Sequence, residues 1–331
     1  MVNYTDTFIH KLRIVSWYTD LIAEISGLGL NLFLIGIVMT ISNKEFKNYR
    51  RILLTTSIFD IIFSIFTFPC GMSMEPANKY FITWTHGSLR NFSLEVRLAV
   101  VITIIGTFYI TILNTAIVFY YRYLLITQET IMSKWRYFRL MLFNVIWNAI
   151  GAIIWGYALI SPPSSGKKEA METLGEEFFY NFDGTVTEFF ILQPVSIAGM
   201  CALVHNTITC TFVVLVVIKT YKGIQDTLKK SSSKMTSKSK NLQKQLNMTM
   251  ILQALTPLIL CVVPVLTMVF CCFLKVLLYG ISSTFFITFM YVPALNAIIC
   301  LVCVKVCRKK MCNLFMKKSS QTTVSSVAGK G

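Results

Sequence analysis

The sequence predicts an all-α membrane protein, a bundle of seven transmembrane helices with its N-terminus outside and its C-terminus inside. Hydrophobic residues make up 55% of the 331 residues and charged residues only 14%, whereas soluble domains carry roughly 25% charged residues. Seven apolar stretches reach the ~20 residues that are needed to cross the hydrocarbon core. Because a backbone in lipid must satisfy its own hydrogen bonds, we expect each stretch to be a helix.

The predicted spans occupy most of the chain. Residues 1–17 are polar and lack the apolar centre of a signal peptide, so we expect them to form an extracellular N-terminal segment. The seven-transmembrane domain then covers residues 18–304. Its approximate spans are 18–41, 52–74, 96–121, 140–160, 195–218, 248–273 and 280–304.

Two segments follow the last span. In residues 305–318, apolar residues share one helical face and basic residues lie beside it, which predicts an amphipathic juxtamembrane helix on the membrane surface. Its Cys307 and Cys312 are candidate palmitoylation sites, with small apolar packing residues as the alternative interpretation. Residues 319–331 are rich in Ser and Thr and predict a disordered cytoplasmic tail.

Lysine and arginine residues set the predicted orientation, because cytoplasmic loops carry an excess of them. The segments after spans one, three, five and seven hold 23 of these residues, and the segments on the opposite side hold 8. The sequons at Asn3 and Asn91 both fall on the outer side and are the predicted glycosylation sites. The net charge of +16 is therefore assigned to contact with membrane lipids, and no nucleic-acid partner is expected.

Three polar residues inside the spans, Asn31, Asp60 and Asn296, predict a polar switch cluster. They lie about 12–15 Å from the cytoplasmic ends of their spans at ~1.5 Å per residue, so side chains from three helices can meet. A carboxylate in lipid costs roughly 2.5–3.5 kcal/mol on insertion scales, so Asp60 needs partners. Either this cluster rearranges on activation, or it is static interhelical glue worth about 0.6 kcal/mol per hydrogen bond.

The candidate ligand-binding residues are polar and lie toward the outer ends of the spans. Thr103, Thr107, Thr111 and Asn114 fall on one face of span three, which we expect to turn toward the interior of the bundle. The alternative is that each threonine hydroxyl bonds to a carbonyl of its own helix. The predicted ligand contacts are Glu24, Thr103, Thr107, Gln193 and Tyr279.

Span six contains two prolines and follows a basic segment. Pro257 and Pro264 remove helical donors and predict a kink, which is either a hinge or fixed architecture. The segment Lys219–Lys244 is rich in Lys and Ser, and we expect it to be mainly a flexible, solvated loop near anionic lipid. Leu242 and Leu246, four residues apart, are expected to extend span six beyond the membrane.

Four motifs occur in order on the expected spans: Phe119–Tyr123 around Arg122, Leu242–Leu246, Gln253–Pro257 and Tyr291–Asn296. Together they resemble the nematode seven-transmembrane serpentine chemoreceptor superfamily, in the group that includes the Str, Srj, Srd and Srh classes, with Str as the best match. The likeness spans the whole chain. The chain departs from the pattern at Asn296-Ala297, where members often carry Asp-Pro. It also lacks the cysteines of the outer-loop disulfide that is common in other receptor families.

The resemblance implies a chemosensory G-protein-coupled receptor for an odorant or another small molecule, in the plasma membrane of a sensory neuron cilium. It implies signalling through a heterotrimeric G protein, with Arg122, Leu242 and Leu246 at the contact with the α subunit. The alternative for Arg122 is an ordinary interfacial arginine that extends to the headgroups. Whether the receptor forms an oligomer stays open.

Two other functional classes fit the sequence less well. A ligand-gated channel or transporter of seven-span topology is the alternative function, but the spans carry few charges, among them Glu24 and Asp60, and no internal repeat is visible. An enzyme is not expected, because the three histidines assemble no metal or nucleophile set. The ten cysteines have no histidines at zinc spacing, so no metal site and no cofactor are expected.

Overall fold

Long helices form a bundle, and a small β-sheet covers one end of it. The computed structural model describes residues 7–313 except 43, 69, 86–87, 163, 176–177, 181–187 and 231–236. Asn3, residues 314–318 and the predicted tail 319–331 lie outside the described residues. The elements in chain order are α1 Phe8–Thr40, α2 Lys44–Thr67, β1 Met72–Ala77, β2 Tyr80–Thr85, α3 Leu94–Thr127, α4 Lys134–Ile160, α5 Ser164–Leu174, β3 Phe189–Leu192, α6 Ile197–Lys230, α7 Ser237–Pro257, α8 Val263–Phe273, α9 Ile281–Met290 and α10 Val292–Cys303.

Most of the long helices are apolar enough to cross a membrane. Over the described residues, five segments pass this test, and α9 with α10, which meet at a bend of 44°, make a sixth. The helix α2 packs against α1, α3 and α10 and completes the bundle. The five single segments are Phe8–Thr40, Leu94–Thr127, Lys134–Ile160, Ile197–Lys230 and Gln243–Phe273.

The segment Gln243–Phe273 is broken at its prolines. The helix α7 ends at Pro257, a π-helical turn follows at Leu258–Val262, and α8 carries Pro264 in its first turn. Because Pro264 has no N–H group, the carbonyl of Leu260 lacks its α-helical donor. Thr288 of α9 supplies one, since its Oγ1 lies 2.7 Å from the Leu260 oxygen.

A three-stranded antiparallel sheet lies between the helices at one end, called here the sheet end. β1 and β2 form a hairpin that pairs Met72 with Thr85, and β3 joins β2 by pairing Phe189 with Trp84. Asn78 in the hairpin turn has a φ of 54°. The opposite end, where α1 ends and α2 begins, is called the basic end.

The predicted second span is too long at its far end. We expected it to run through Met74, but α2 ends at Thr67 and Met72 begins β1. Gly71 adopts a φ of 48°, a left-handed conformation that ends helical geometry and that glycine tolerates best. The apolar residues after it are buried because they form a strand over the bundle.

The expectation of a mainly flexible loop at Lys219–Lys244 is also corrected. The helix α6 continues to Lys230 and α7 begins at Ser237, which leaves 231–236 outside the described residues. Ile224 is fully buried, so this part of α6 packs on the bundle and is not solvated on all sides.

Polar contacts anchor the long loop before α6, and the ten cysteines are free. The Arg13 guanidinium of α1 donates to the backbone carbonyls of Phe178 and Tyr180. Arg97 of α3 forms an ion pair with Glu188 just before β3. These charge-assisted bonds tie the loop to α1 and α3, where a disulfide would otherwise hold it.

Candidate functional site

A small cavity of about 60 Å³ lies beneath the sheet, inside the bundle. Its wall includes residues of α2, β1, α3, α4, α8 and α9. The cavity therefore borders both the sheet and the helical bundle. Its lining is aromatic, sulfur-containing and aliphatic: Phe63, Met72, Met74, Ile104, Ile105, Phe108, Tyr109, Trp155, Val265, Phe286, Phe289 and Met290.

Stacked aromatic rings connect three helices around this cavity. Phe108 of α3 stacks on Phe289 of α9 with centroids 5.3 Å apart and planes 5° apart. Phe289 also contacts Phe286 at 4.8 Å, and Phe63 of α2 approaches Phe108 at 6.3 Å. A charged molecule would lose its hydration here without a countercharge in the lining, so the cavity is suited to an uncharged molecule.

Trp155 is a polar exception in this apolar wall. It is 7% exposed, and its indole Nε1 has no hydrogen-bond partner among the described residues. Trp147, two turns earlier on α4, instead donates to Thr209 at 2.9 Å. An indole N–H can only donate, so a neutral molecule with an acceptor atom would complement Trp155.

Glu75 of β1 adjoins the cavity residue Met74 and faces the start of α9. It is fully buried, and its carboxyl group lies beside the backbone N–H groups of Gly280 and Ser283. Neither contact reaches good hydrogen-bond geometry. Burial raises the pKa of Glu75 to about 8, and the two backbone groups oppose this rise.

Deeper in the bundle, the three residues of the predicted polar switch cluster lie where α1, α2 and α10 meet. Asn296 donates through Nδ2 to both carboxyl oxygens of Asp60, at 3.2 and 3.3 Å. Asn31 donates to the carbonyl of Pro293 at 3.0 Å. A Cβ at Gly27 would lie only 3.0 Å from Ser64 Oγ and 3.2 Å from Pro293 Cβ, so the helices approach closely here.

A second set of contacts, called here the inner latch, closes the basic end. Arg122 of α3 is fully buried and donates to the carbonyl of Gln243 at 2.8 Å and to Met250 Sδ at 2.9 Å. Its guanidinium carbon lies 5.7 Å from the Tyr49 ring centroid. Tyr49 of α2 donates to Gln243 Oε1 at 2.7 Å. The inner latch therefore joins α2, α3 and α7 through Arg122, Tyr49, Gln243 and Met250.

The inner half of span six is also bound to the last span. Gln253 of α7 donates to the carbonyl of Asn296 at 3.2 Å and to Cys300 Sγ at 3.1 Å. Gln245 Oε1 accepts from the backbone N–H of Lys305 at 3.0 Å. An outward movement of α7 would have to break these bonds and the inner latch together.

Comparison with known families identifies the class of protein. The family model described as serpentine type 7TM GPCR chemoreceptor Str matches residues 17–312. The chain belongs to the Str family of seven-transmembrane chemoreceptors. The Str-like resemblance of its motifs is thereby confirmed, and the chain is a multi-pass membrane protein of the GPCR type.

The fold of this Str receptor also resembles a solved receptor structure. The crystal structure of squid rhodopsin superposes with a TM-score of 0.58 at 14% identity, covering 92% of this chain and 86% of that one. At this identity the likeness concerns the fold, which is a GPCR-like bundle of seven helices. No curated protein matches the sequence.

In the Str receptor, the row of polar residues on α3 does not line the aromatic cavity. This row is Thr103, Thr107, Thr111 and Asn114. Thr103 donates to the carbonyl of Ala99 at 2.8 Å, and Thr107 donates to that of Thr103 at 2.9 Å, which is the alternative interpretation from the sequence. Thr111 and Asn114, farther along, do border a separate polar cavity of about 20 Å³ near Asn296. The aromatic cavity is lined by the neighbouring positions of α3 instead.

The other predicted ligand contacts lie elsewhere too. Glu24 is 3% exposed between α1 and α2, facing the hydroxyls of Ser64 and Thr67 without well-formed hydrogen bonds. Gln193 directly follows β3, and its carbonyl accepts a hydrogen bond from the Ser196 hydroxyl at 2.8 Å. Tyr279 is 55% exposed beside the start of α9. None of the five predicted contacts appears among the described residues that line the aromatic cavity.

The predicted coupling and modification residues have mixed environments. Leu246 is buried among α1, α3 and α10 residues at the basic end, and Leu242 lies on α7, four residues before it. Cys307 is fully buried and Cys312 is exposed, which favours Cys312 as the acylation candidate in this conformation. Asn91 ends a short 3-10 helix after β2, at the sheet end.

The aromatic and methionine residues that form the cavity were not among the predicted ligand contacts. Those predicted contacts are mostly polar residues, whereas the cavity wall is almost wholly apolar. Phe108 and Phe289 carry no local signal that separates them from ordinary core residues. Their role depends on stacking across helices that are distant in sequence.

Proposed function

We propose that this Str receptor detects a small uncharged molecule in the aromatic cavity and transmits the signal to a heterotrimeric G protein at the basic end. The observation that carries this proposal is the arrangement of a cavity near one end and a closed inner latch at the other. The sheet end then faces outside, and the basic end faces the cytoplasm. The plasma membrane of a sensory neuron cilium is the location that the family suggests.

The mechanism is a shift between two conformations of the bundle. Val265 of α8 and Phe289 of α9 border the cavity, and α8 continues through the π-helical turn into α7. A ligand that binds more tightly when α8 moves would favour an arrangement in which α7 swings away from α3. The bonds of Arg122 to Gln243 and Met250 would break, uncovering Leu246 for the Gα subunit.

The switch cluster lies between the two ends in this scheme. Asn296 bonds to Asp60, and its carbonyl accepts from Gln253 of α7. Movement of α7 therefore changes the surroundings of the Asn296–Asp60 pair. The hinge lies at Pro257 and Pro264, where the α-helical hydrogen bonds of span six are already interrupted.

Expression of the receptor with a Gα subunit and a calcium or cyclic-nucleotide readout tests this function. Small neutral compounds are screened for a response, and Phe289→Ala is compared with Phe273→Ala, which alters an exposed phenylalanine on α8. Loss of aromatic stacking should raise the half-maximal concentration by about tenfold in the first variant only. A ligand-evoked current that needs no G protein would overturn the coupling.

A further inference from the structure

Another cavity, separate from both the aromatic cavity and the polar one near Asn296, lies on the flank of the sheet end. It has a volume of about 330 Å³ and lies between the first turns of α3, the last turn of α4, and β3. This groove, called here the flank groove, includes Leu94 and Leu98 of α3 and Ile160 of α4. Leu94 and Ile160 lie at the edges of the predicted spans, which is the depth of the lipid headgroups.

The flank groove has apolar walls and a charged rim. Besides the leucines of α3, its wall includes Leu159 and Phe190, both buried. Glu95 and Lys167 are its charged residues among those described, one on α3 and one on α5. Both are exposed, and they form no ion pair with each other.

The charges next to these two form ion pairs of their own, and the Glu95 carboxylate itself contacts the hydroxyl of Ser93 and its own backbone N–H. Arg97, two residues after Glu95, pairs with Glu188. Lys168, next to Lys167, lies 4.0 Å from Glu172. Lys167 itself lies over the ring of Phe189 at 5.7 Å, at the groove edge.

Opposite charges that share one groove without pairing match a molecule that carries both charges itself. We propose that the flank groove binds a zwitterionic glycerophospholipid of the outer leaflet. Lys167 contacts its phosphate, Glu95 contacts its ammonium group, and the leucine and isoleucine side chains hold the start of an acyl chain. The apolar walls extend from the headgroup level toward the hydrocarbon, so a lipid fits better than a water-soluble zwitterion.

The bound lipid would brace the sheet against the bundle. Leu159 and Phe190 of the groove wall belong to the same packed core as Phe289 and Phe286 of the aromatic cavity. A lipid wedged between α3, α4 and β3 therefore stabilises the cover of the ligand cavity. Binding to the folded state alone raises the melting temperature with lipid concentration.

The test measures the melting temperature of the full receptor, purified in a maltoside detergent. Dioctanoylphosphatidylcholine is titrated against dioctanoylglycerol, which has the same chains without the charged headgroup. We expect a saturating rise with the phospholipid and little rise with the glycerol lipid. Native mass spectrometry should show one retained phosphatidylcholine per receptor.

Variants assign the effect to the flank groove. Glu95→Lys and Lys167→Glu should each weaken the apparent affinity by about tenfold, while the matched control Lys168→Glu leaves it unchanged. Glu95→Gln and Lys167→Gln, which add no repulsion, should give smaller losses in the same direction. Equal stabilisation by the glycerol lipid, stronger stabilisation by dioctanoylphosphatidylglycerol, or unchanged affinity in both charge-reversed variants would overturn the proposal.

Discussion

At the scale of single residues, the Asp60–Asn296 pair shows how a polar group is accommodated among apolar helices. Asp60 is 1% exposed, and the amide of Asn296 donates to both of its oxygens. The bond crosses from α2 to α10. A static link and a switch differ in what the loss of this bond does to signalling.

Variants of Asp60 and Asn296 distinguish a static link from a switch. Asp60→Asn should leave surface expression intact but reduce the ligand response about tenfold, as expected for lost coupling between sites. The reciprocal double variant Asp60→Asn/Asn296→Asp restores one carboxylate and one amide, and should recover most of the response. Signalling that is unchanged in Asp60→Asn would identify the pair as static glue.

Glu75 predicts a pH dependence at the sheet end. Its folded pKa of about 8 lies above the ordinary value of 4.5, so the folded protein retains a proton that the unfolded chain releases between these values. The free energy of unfolding should therefore fall as pH rises from about 4.5 to about 8, by up to ~1.4 kcal/mol per pH unit. Glu75→Gln should remove this slope and raise the melting temperature at pH 8.

Melting curves of the purified receptor from pH 5 to pH 9 measure this effect. Glu172→Gln, on the exposed face of α5, is the control and should keep the pH profile of the unaltered protein. If the pH profile of Glu75→Gln ran parallel to that of the unaltered protein, another group would be the cause of the pH dependence.

At the scale of elements, span six departs most from a regular helix. Its two prolines predicted a kink, and the structure adds the π-helical turn Leu258–Val262 between them. π-Helical turns are found mostly as single interruptions inside α-helices, frequently at functional sites. The sequence could not indicate that the Thr288 hydroxyl of α9 donates to the free carbonyl of Leu260, because this hydrogen bond connects two different spans.

Thr288→Val tests this support of the hinge. Valine keeps the shape but removes the donor, so the free energy of unfolding should fall by ~1 kcal/mol. Basal signalling should rise, because the bent conformation of span six loses the hydrogen bond from Thr288 to the Leu260 carbonyl. Thr284→Val is the matched control, because among the described residues the Thr284 hydroxyl bonds to Ile281 of its own helix and to no other span. Equal effects of the two variants on stability and basal signalling would remove Thr288 from the hinge.

The strands of the sheet end were not predicted, and the reason lies in their environment. Met72–Ala77 continues an apolar stretch and lacks a clean polar alternation, since both faces are largely buried. Tyr80–Thr85 is buried along its whole length. A strand that is covered on both sides shows no period of two in its sequence, so periodicity could not separate it from the end of a span.

At the scale of the whole molecule, the orientation in the membrane connects all the functional proposals. The excess of basic residues at the basic end predicts that this end is cytoplasmic. This predicted orientation puts the aromatic cavity and the flank groove on the outer side, and the inner latch on the side proposed for the G protein. One experiment on topology therefore tests the common premise of these proposals.

Glycosylation mapping in intact cells provides this experiment. Asn3→Gln and Asn91→Gln should each remove one glycan that a glycosidase can release from the expressed receptor. Asn247→Gln is the internal control, because this sequon lies on α7 near the basic end and should stay bare. A glycan at Asn247, or surface labelling of a tag inserted between Lys230 and Ser237, would reverse the orientation.

The sequence by itself determined the membrane class and the family, because composition and motifs can be read from the chain without its tertiary contacts. The tertiary structure decided the position of the cavity, the inner latch and the sheet. Phe108 meets Phe289, and Arg122 meets Gln243, across more than one hundred residues. In lipid, each helix satisfies its own backbone, so apolar sequence alone does not specify which faces meet. That choice depends on close packing at residues such as Gly27 and on a few interhelical hydrogen bonds.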